Sequence, residues 1–296
     1  MLEFNASSFP SKQRKQKMKN SVSALICVKN SAQTLGKCLE SLLKNGISEI
    51  IVIDGESTDD SWKIAETYTD RIYSDLGNGL GYARKLGVSK VSSEFLLIMG
   101  PDDLLAEASL SESLDVLRKN EKIAGLLSNK RLEARNNFWE RGQDGLYELS
   151  SSLPVRVIGN PSLYRVELLK DYEYDEFFNA NEDTDLCERW WDNGYSVSRA
   201  PKSFQVFETT PQNRQLIYSR YTWYGRGDYD FVSKWIKISR RRAIRHLFHP
   251  LMNYMILQPI RLLKRGQIQT AIFSICAGIF RYIGFFQRIN LKRRPL

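Results

Sequence analysis

Glu49-Ile-Ile-Val-Ile-Asp54 runs directly into Gly55-Glu-Ser-Thr-Asp59. The apolar, mostly β-branched residues read as a strand buried on both faces. The polar turn ends it and supplies the cap for a helix carrying Trp62, Ile64 and Ala65. Upstream, Val22-Ser-Ala-Leu-Ile-Cys-Val28 repeats the pattern and closes on Lys29-Asn30, and a helix with Leu35, Cys38, Leu39, Leu42 and Leu43 follows, ended by Asn45-Gly46. Downstream come a short strand at Ile72-Tyr73, a glycine-rich loop, a helix from Tyr82 to Val91, and the strand Glu94-Phe-Leu-Leu-Ile-Met99, which stops at Gly100-Pro-Asp-Asp103. Strands alternating with helices predict an α/β fold with a mainly parallel sheet flanked by helices. Ligands of such sheets bind beyond the carboxyl ends of the strands, where Asn30, Asp54, Asp102 and Asp103 are expected to meet at one crevice.

Charge divides the 296 residues unevenly. The formal net charge is +9, yet residues 1–20 hold five Lys/Arg against one Glu, and residues 231–296 hold fourteen Lys/Arg without an Asp or Glu. The body between them therefore carries −9, which argues against a nucleic-acid platform and implies a bridging cation for any bound diphosphate. Four parts are expected: a basic solvated arm over 1–20, a nucleotide-binding half over 21–125, an acceptor-binding half over 126–230, where connections lengthen and aromatics accumulate, and a basic helical extension over 231–296. The N-terminus shows no signal-peptide pattern, and Cys27, Cys38, Cys187 and Cys276 are scattered without a C-x-x-C pair, which fits a reducing compartment.

Both histidines, His246 and His249, belong to the extension, so a Ser-His-Asp triad or a His-rich zinc site is excluded from the body. An acid or base there must be a carboxylate, Lys, Tyr or Cys. Gly79-Leu-Gly81-Tyr-Ala-Arg84 is no dinucleotide fingerprint, because Arg84 replaces the third glycine and the motif lies far from the first strand. Val28-Lys-Asn-Ser-Ala lacks the phosphate-cradling glycines of a sugar-phosphate nucleotidyltransferase.

Taken in order, the strand ending at Asn30, the Asp54–Asp59 turn, Gly79–Arg84, the strand end at Asp102 and Asn181-Glu-Asp-Thr-Asp-Leu186 resemble the family 2 glycosyltransferases of the GT-A fold, of a membrane-associated type. The resemblance implies a nucleotide-sugar site at Val28, Asn30, Asp54, Arg84 and Asp102, with Asp54 on the base and Arg84 on the diphosphate. It implies Mg²⁺ or Mn²⁺ at Asp102, with Asp103 secondary, although Gly100 stands where the family's D-x-D motif has its first carboxylate. Asp183 becomes the general base, and Glu182 and Trp190 fall on the acceptor side. Read without the family, Asp54 serves equally as a helix cap or Asx turn, the Glu182-Asp183 pair reads first as an N-terminal helix cap, and Trp190-Trp191 as core packing or a sugar-stacking face. Gln212, Gln215 and Trp223 miss the Q-x-x-R-W spacing of processive synthases, which favours addition of one sugar. The function implied is inverting transfer from a UDP-sugar to a hydroxyl of a lipid-linked saccharide in surface polysaccharide or glycan assembly. The alternatives are a polyprenyl-phosphate acceptor and a catalytically degenerate membrane scaffold.

In the extension, Gln267, Ser274, Arg281 and Arg288 recur every seven residues along an otherwise apolar helix. That stripe predicts a helix lying in an anionic membrane surface, on the cytoplasmic face, peripheral or monotopic. A short spanning helix with Arg281 reaching the headgroups, or a helical pair packed on the body, are the competing readings.

Overall fold

The computed structural model describes residues 22–293, so the arm expected over 1–20 lies outside the described residues. Strands β1 (Val22–Val28), β2 (Glu49–Asp54), β3 (Ile72–Ser74) and β4 (Phe95–Met99) pair in parallel, in the order β3-β2-β1-β4. Helices α1 (Ala32–Lys44), α2 (Ser61–Glu66) and α3 (Leu80–Ser89) make the crossovers. The sheet then becomes mixed: β8 (Ser162–Arg165) pairs antiparallel with β4 and with β6 (Ile123–Leu127), and β9 (Ser196–Arg199) lies parallel to β6 at the edge.

Strand periodicity splits the core in two. Ile26, Val52 and Leu97 join the α1 residues Leu35, Cys38 and Leu39 on one face. Their neighbours Leu25, Ile51 and Leu96 face the other way, against Ala83 and Val88 of α3 and Leu186 and Trp190 of α7 (Glu182–Asp192). Burial on both sides explains why these strands read as unbroken apolar runs. The intervening helices are α4 (Ser111–Lys119), α5 (Phe138–Ser151) and α6 (Val166–Tyr172).

The acids after β4 do not cap a helix. Asp103–Leu105 forms β5, which joins β10 (Gln205–Glu208) and β7 (Asn129–Leu132) in a second sheet of order β5-β10-β7. Its register sets Glu208 opposite Asp103, and β7 delivers Lys130 to the same place.

The C-terminal region consists of α8 (Arg214–Trp235), α9 (Arg240–Leu247), a π-helical segment (Pro250–Leu257), α10 (Gln258–Leu263) and α11 (Ile268–Arg293). The expectation for its polar stripe is corrected. Ser274 and Arg281 are buried against the body, where Ser274 donates to the Tyr254 carbonyl and Arg281 Nε lies 2.8 Å from Asp228 Oδ2. Arg288 likewise meets Asp230 of α8 at 3.1 Å. The outward face is instead apolar, with Ile268, Ile272, Ile279, Phe286 and Leu291 exposed. Two buried acids on α8 account for the reversal, since burying Arg281 is tolerable only where a carboxylate receives it. Ile268–Leu291 is long and apolar enough to cross a bilayer by length and composition, and half of its apolar window is buried within the protein.

Candidate active site

Two cavities open beyond the carboxyl ends of the parallel strands. The first, of about 530 Å³, is floored by Val28, Ile53, Gly55 and Asp75 at the ends of β1, β2 and β3. Its roof comes from the C-terminal region, through Trp223 and Arg226 of α8 and Arg288 of α11. The second, of about 1160 Å³, contains Asp102, Glu182 and Asp183. Cys27, Leu80 and Trp223 line both, so the two form one crevice.

Asp54, at the end of β2, is 4% exposed. Its Oδ2 accepts from Ser57 N at 2.9 Å, as an Asx turn does, while Oδ1 is buried without a partner. A buried unpartnered carboxylate oxygen is costly unless a ligand donor completes it. Val28 lines the first cavity, whereas Asn30 braces two loops by accepting from Thr58 N at 2.8 Å. Asp75 carries no sequence motif, although its place just after β3 parallels that of Asp54 at the end of β2; its Oδ1 accepts from Gly77 N at 2.8 Å.

Asp102 lines the second cavity, and its carboxylate has no hydrogen bond or ion pair among the described residues. Asp103 differs in every respect. It is fully buried, Oδ2 accepts from Gly100 N at 3.0 Å, and Oδ1 lies 2.7 Å from Lys130 Nζ. Lys130 also reaches Glu208 at 2.9 Å, and Glu208 takes Arg220 and the Tyr147 hydroxyl as well. Burial pushes the Asp103 carboxyl up to about 6 against the pull of Lys130. The flanking cations hold Glu208 down at about 2 in spite of its burial. The expected secondary metal ligand is thus engaged by an ammonium group, and so is Glu208.

The structure also gives a reason for Gly100. A methyl group there would lie 2.8 Å from Asp102 Oδ1 and 3.1 Å from Asp103 Oδ2, so any side chain displaces one of the acids. Among the described residues no group of three His, Cys, Asp or Glu is arranged to hold a metal. One open carboxylate still fits a divalent cation that arrives with its nucleotide, because Mg²⁺ is commonly held by one or two carboxylates together with substrate phosphates and water.

Arg84 is buried and paired with Glu182, with its guanidinium 5.4 Å from the centre of the Tyr174 ring. The expected diphosphate cation therefore ties α3 to the start of α7, and Glu182, expected on the acceptor side, is its partner. Burial raises the Glu182 carboxyl in opposition to Arg84. Gly79 and Gly81 serve this junction. Gly79 has φ +89°, and a methyl group at Gly81 would strike the carbonyls of Asp175 and Phe178 at 2.5 Å, so the motif is a packing surface for the loop before α7.

Asp183 is the second residue of α7. Its Oδ1 accepts from Thr184 N at 2.6 Å, and Oδ2 lies where a methyl group on Gly159 would be 2.5 Å away. Gly159 thus makes room for the carboxylate at the cavity wall. Trp190 is corrected outright: it is 0% exposed in the core beside Tyr164, at 6.2 Å between ring centres, and offers no face to a sugar. Asp102 and Asp183 share one cavity, and Asp54 flanks the joined one.

A family model described as "Glycosyl transferase family 2" matches residues 23–173. Among curated relatives, a cholesterol galactosyltransferase of Borreliella burgdorferi is 33% identical over 99 residues, which cover 31% of this chain and 28% of the relative. The poly(ribitol-phosphate) β-N-acetylglucosaminyltransferase TarS of Staphylococcus aureus is 23% identical over 54% of this chain and 30% of the relative. The matched stretches thus span less than a third of either relative's length. Among solved structures, a Pyrobaculum calidifontis mannosyltransferase with GDP-Man and Mn²⁺ has a TM-score of 0.61 at 13% identity, covering 92% of this chain and 88% of that one. A Mycobacterium tuberculosis glucosyl-3-phosphoglycerate synthase with Mn²⁺, UDP and phosphoglyceric acid has a TM-score of 0.52 at 16% identity, covering 72% and 78%.

Proposed function

The chain belongs to glycosyl transferase family 2, and from that premise we propose that it transfers one sugar, with inversion, from a UDP-sugar to a hydroxyl of a lipid-linked saccharide at the cytoplasmic face of a membrane. The observation that carries this reading is the shared cavity: Asp102, whose carboxylate is open, and Asp183 line one space, joined to the strand-end cavity beside Asp54. The base and ribose belong in the strand-end cavity, and the unpartnered Oδ1 of Asp54, between its lining residues Ile53 and Gly55, is the acceptor for an imide N–H. The sugar then extends past Cys27 and Leu80 into the larger space.

Asp183 takes the proton of the acceptor hydroxyl as its oxygen bonds to the anomeric carbon, and the bond to the diphosphate breaks on the opposite side. General-base help of this kind contributes about 10²–10⁴-fold. Asp102 would hold a divalent cation arriving with the nucleotide, which would supply charge stabilisation for the departing diphosphate. Arg226 of α8 and Arg288 of α11 add permanent cations at the roof of the nucleotide cavity, the part that the C-terminal helices provide. The apolar outer face of that extension, with Arg261, Lys264 and Arg265 beside it, suits an anionic bilayer surface.

The test is Asp183→Asn, assayed for sugar transfer and, separately, for UDP affinity in Mn²⁺. Transfer is expected to fall by about 10²-fold or more with UDP affinity unchanged. Undiminished transfer in this variant would move the nucleophile to a phosphate oxygen, which needs no base. Absence of UDP binding in the parent protein would favour the scaffold reading.

A further inference from the structure

The larger cavity has a lobe that neither the donor nor the proton transfer uses. Along α7 from Asp183, one and a half turns on, Glu188 faces three guanidinium groups. Arg156 Nη2 and Arg242 Nε each lie 3.1 Å from it, and Arg245 donates to its other oxygen. Arg242 is also held by Asp192, which leaves Arg156 and Arg245 sharing one carboxylate. Arg261 lines the same cavity and has no ion-pair partner among the described residues. Burial holds Arg245 below the usual arginine range, and Glu188 opposes that shift while Arg156, Arg242 and Arg241 add to it. Cations crowded without enough anions are destabilising on their own, and a bound anion relieves them.

An apolar strip leaves this lobe. Ile244, Phe248 and Met252 line the cavity at four-residue intervals, yet are 51%, 48% and 44% exposed. They therefore connect the interior to the outer apolar surface that continues through Ile256, Ile260 and Leu263. Met252 lies in the π-helical segment, a geometry often kept where side chains must be re-aimed at a functional site.

The geometry points to an acceptor subsite for an amphiphile with a phosphate-bearing headgroup: Arg156, Arg245 and Arg261 hold the phosphate, the hydrocarbon runs out over Ile244, Phe248 and Met252, and the attached sugar reaches Asp183. This deepens the glycosyltransferase reading and rests on Asp183 as the acceptor-side base. Five residues of helix separate Asp183 from Glu188, an axial distance of about 7.5 Å. The phosphate is accordingly a handle set back from the reacting centre by roughly a sugar's length, and the nucleophile is a hydroxyl. Charge and continuity choose the lipid source over a free phosphate, since a soluble phosphorylated acceptor has no use for an apolar exit.

Calorimetry on the full chain with UDP bound tests this without requiring turnover, using dodecyl phosphate, dodecyl glucoside and inorganic phosphate, each below any micelle concentration. Dodecyl phosphate is expected to bind about tenfold or more tightly than either control, and Arg261→Gln and Arg245→Gln each to weaken it by about tenfold. Arg261→Gln removes no ion pair, and Arg245→Gln leaves Glu188 two other arginines, so the fold survives both; unchanged UDP affinity verifies this. Equal binding of dodecyl glucoside overturns the anion subsite, and equal binding of inorganic phosphate overturns the lipid commitment. Failure of UDP binding in the parent would instead strike the donor site, a separate readout.

Discussion

The strand-end crevice and the C-terminal helices treat carboxylates in opposite ways. At the crevice, Asp54 Oδ1 has no partner and the Asp102 side chain is open. On α8, where it packs against α11, the acids are saturated: Asp228 receives Arg281, His246 at 2.8 Å and Asn181 Nδ2 at 3.0 Å. An acid left open is positioned for something that arrives, whereas a saturated one holds elements together. Asp228 is a junction of this second kind, since Asn181 immediately precedes α7 and Asp183. The helices that roof the nucleotide cavity thereby also fix the position of the base.

The largest effect expected from breaking this contrast is on stability at Asp228. Asp228→Ala leaves Arg281 buried without its partner and is expected to cost about 3–5 kcal/mol in urea unfolding. Asp102→Ala should change stability by less than about 0.5 kcal/mol while abolishing the Mn²⁺-dependent part of UDP binding. If the two variants exchanged these behaviours, the distinction between open and saturated acids would be lost.

A smaller effect concerns pH. Lys130 and Arg220 hold the Glu208 carboxyl at about 2, below its ordinary 4.5, so the unfolded chain takes up the proton first as pH falls. The stability contributed is present above pH 4.5 and disappears as pH drops toward 2, amounting to at most about 3 kcal/mol. Urea midpoints measured across that window should fall, with a shallower slope in Glu208→Gln. A parallel slope in the variant would assign the acid sensitivity elsewhere.

The smallest effect sharpens the comparison by adding an acid to the open side. Gly100→Asp restores the carboxylate that the family's D-x-D motif carries, but at a place where Asp102 and Asp103 already crowd the added carbon. The added side chain displaces the open carboxylate of Asp102, a shift that costs little stability, and weaker metal–UDP binding should accompany it. Tighter binding in this variant would show that Gly100 is a loss, not an accommodation.

Much of the crevice was legible before any coordinates. The run from Glu49 to Asp59 announces its strand, turn and helix locally, and its neighbours repeat the form. Asp54, Asp102 and Asp183 were identifiable as acids at strand or helix ends, where an α/β sheet gathers its ligand groups. Asp75 obeys the same rule and escaped only because β3 is three residues long. Lys130, Trp223 and Arg226 carry no signal as site residues and Arg288 shows only as part of a polar stripe, since each lies far in sequence from the strands it serves.

The α11 stripe marks the boundary between the two kinds of information. Its seven-residue spacing defines a single polar face, but spacing alone does not say which side of a helix meets the protein. Sequence by itself determined the alternation of strands and helices, the two buried faces of the sheet and the ends at which acids project, because these depend on neighbours within a few residues. Tertiary structure alone decided that Asp103 belongs to Lys130, that Arg84 belongs to Glu182, that Trp190 is core, and that Arg281 turns inward. Those outcomes depend on which charge lies across a helix crossing or in a second sheet. A buried charge is placed by its partner, and the partner is brought by the fold.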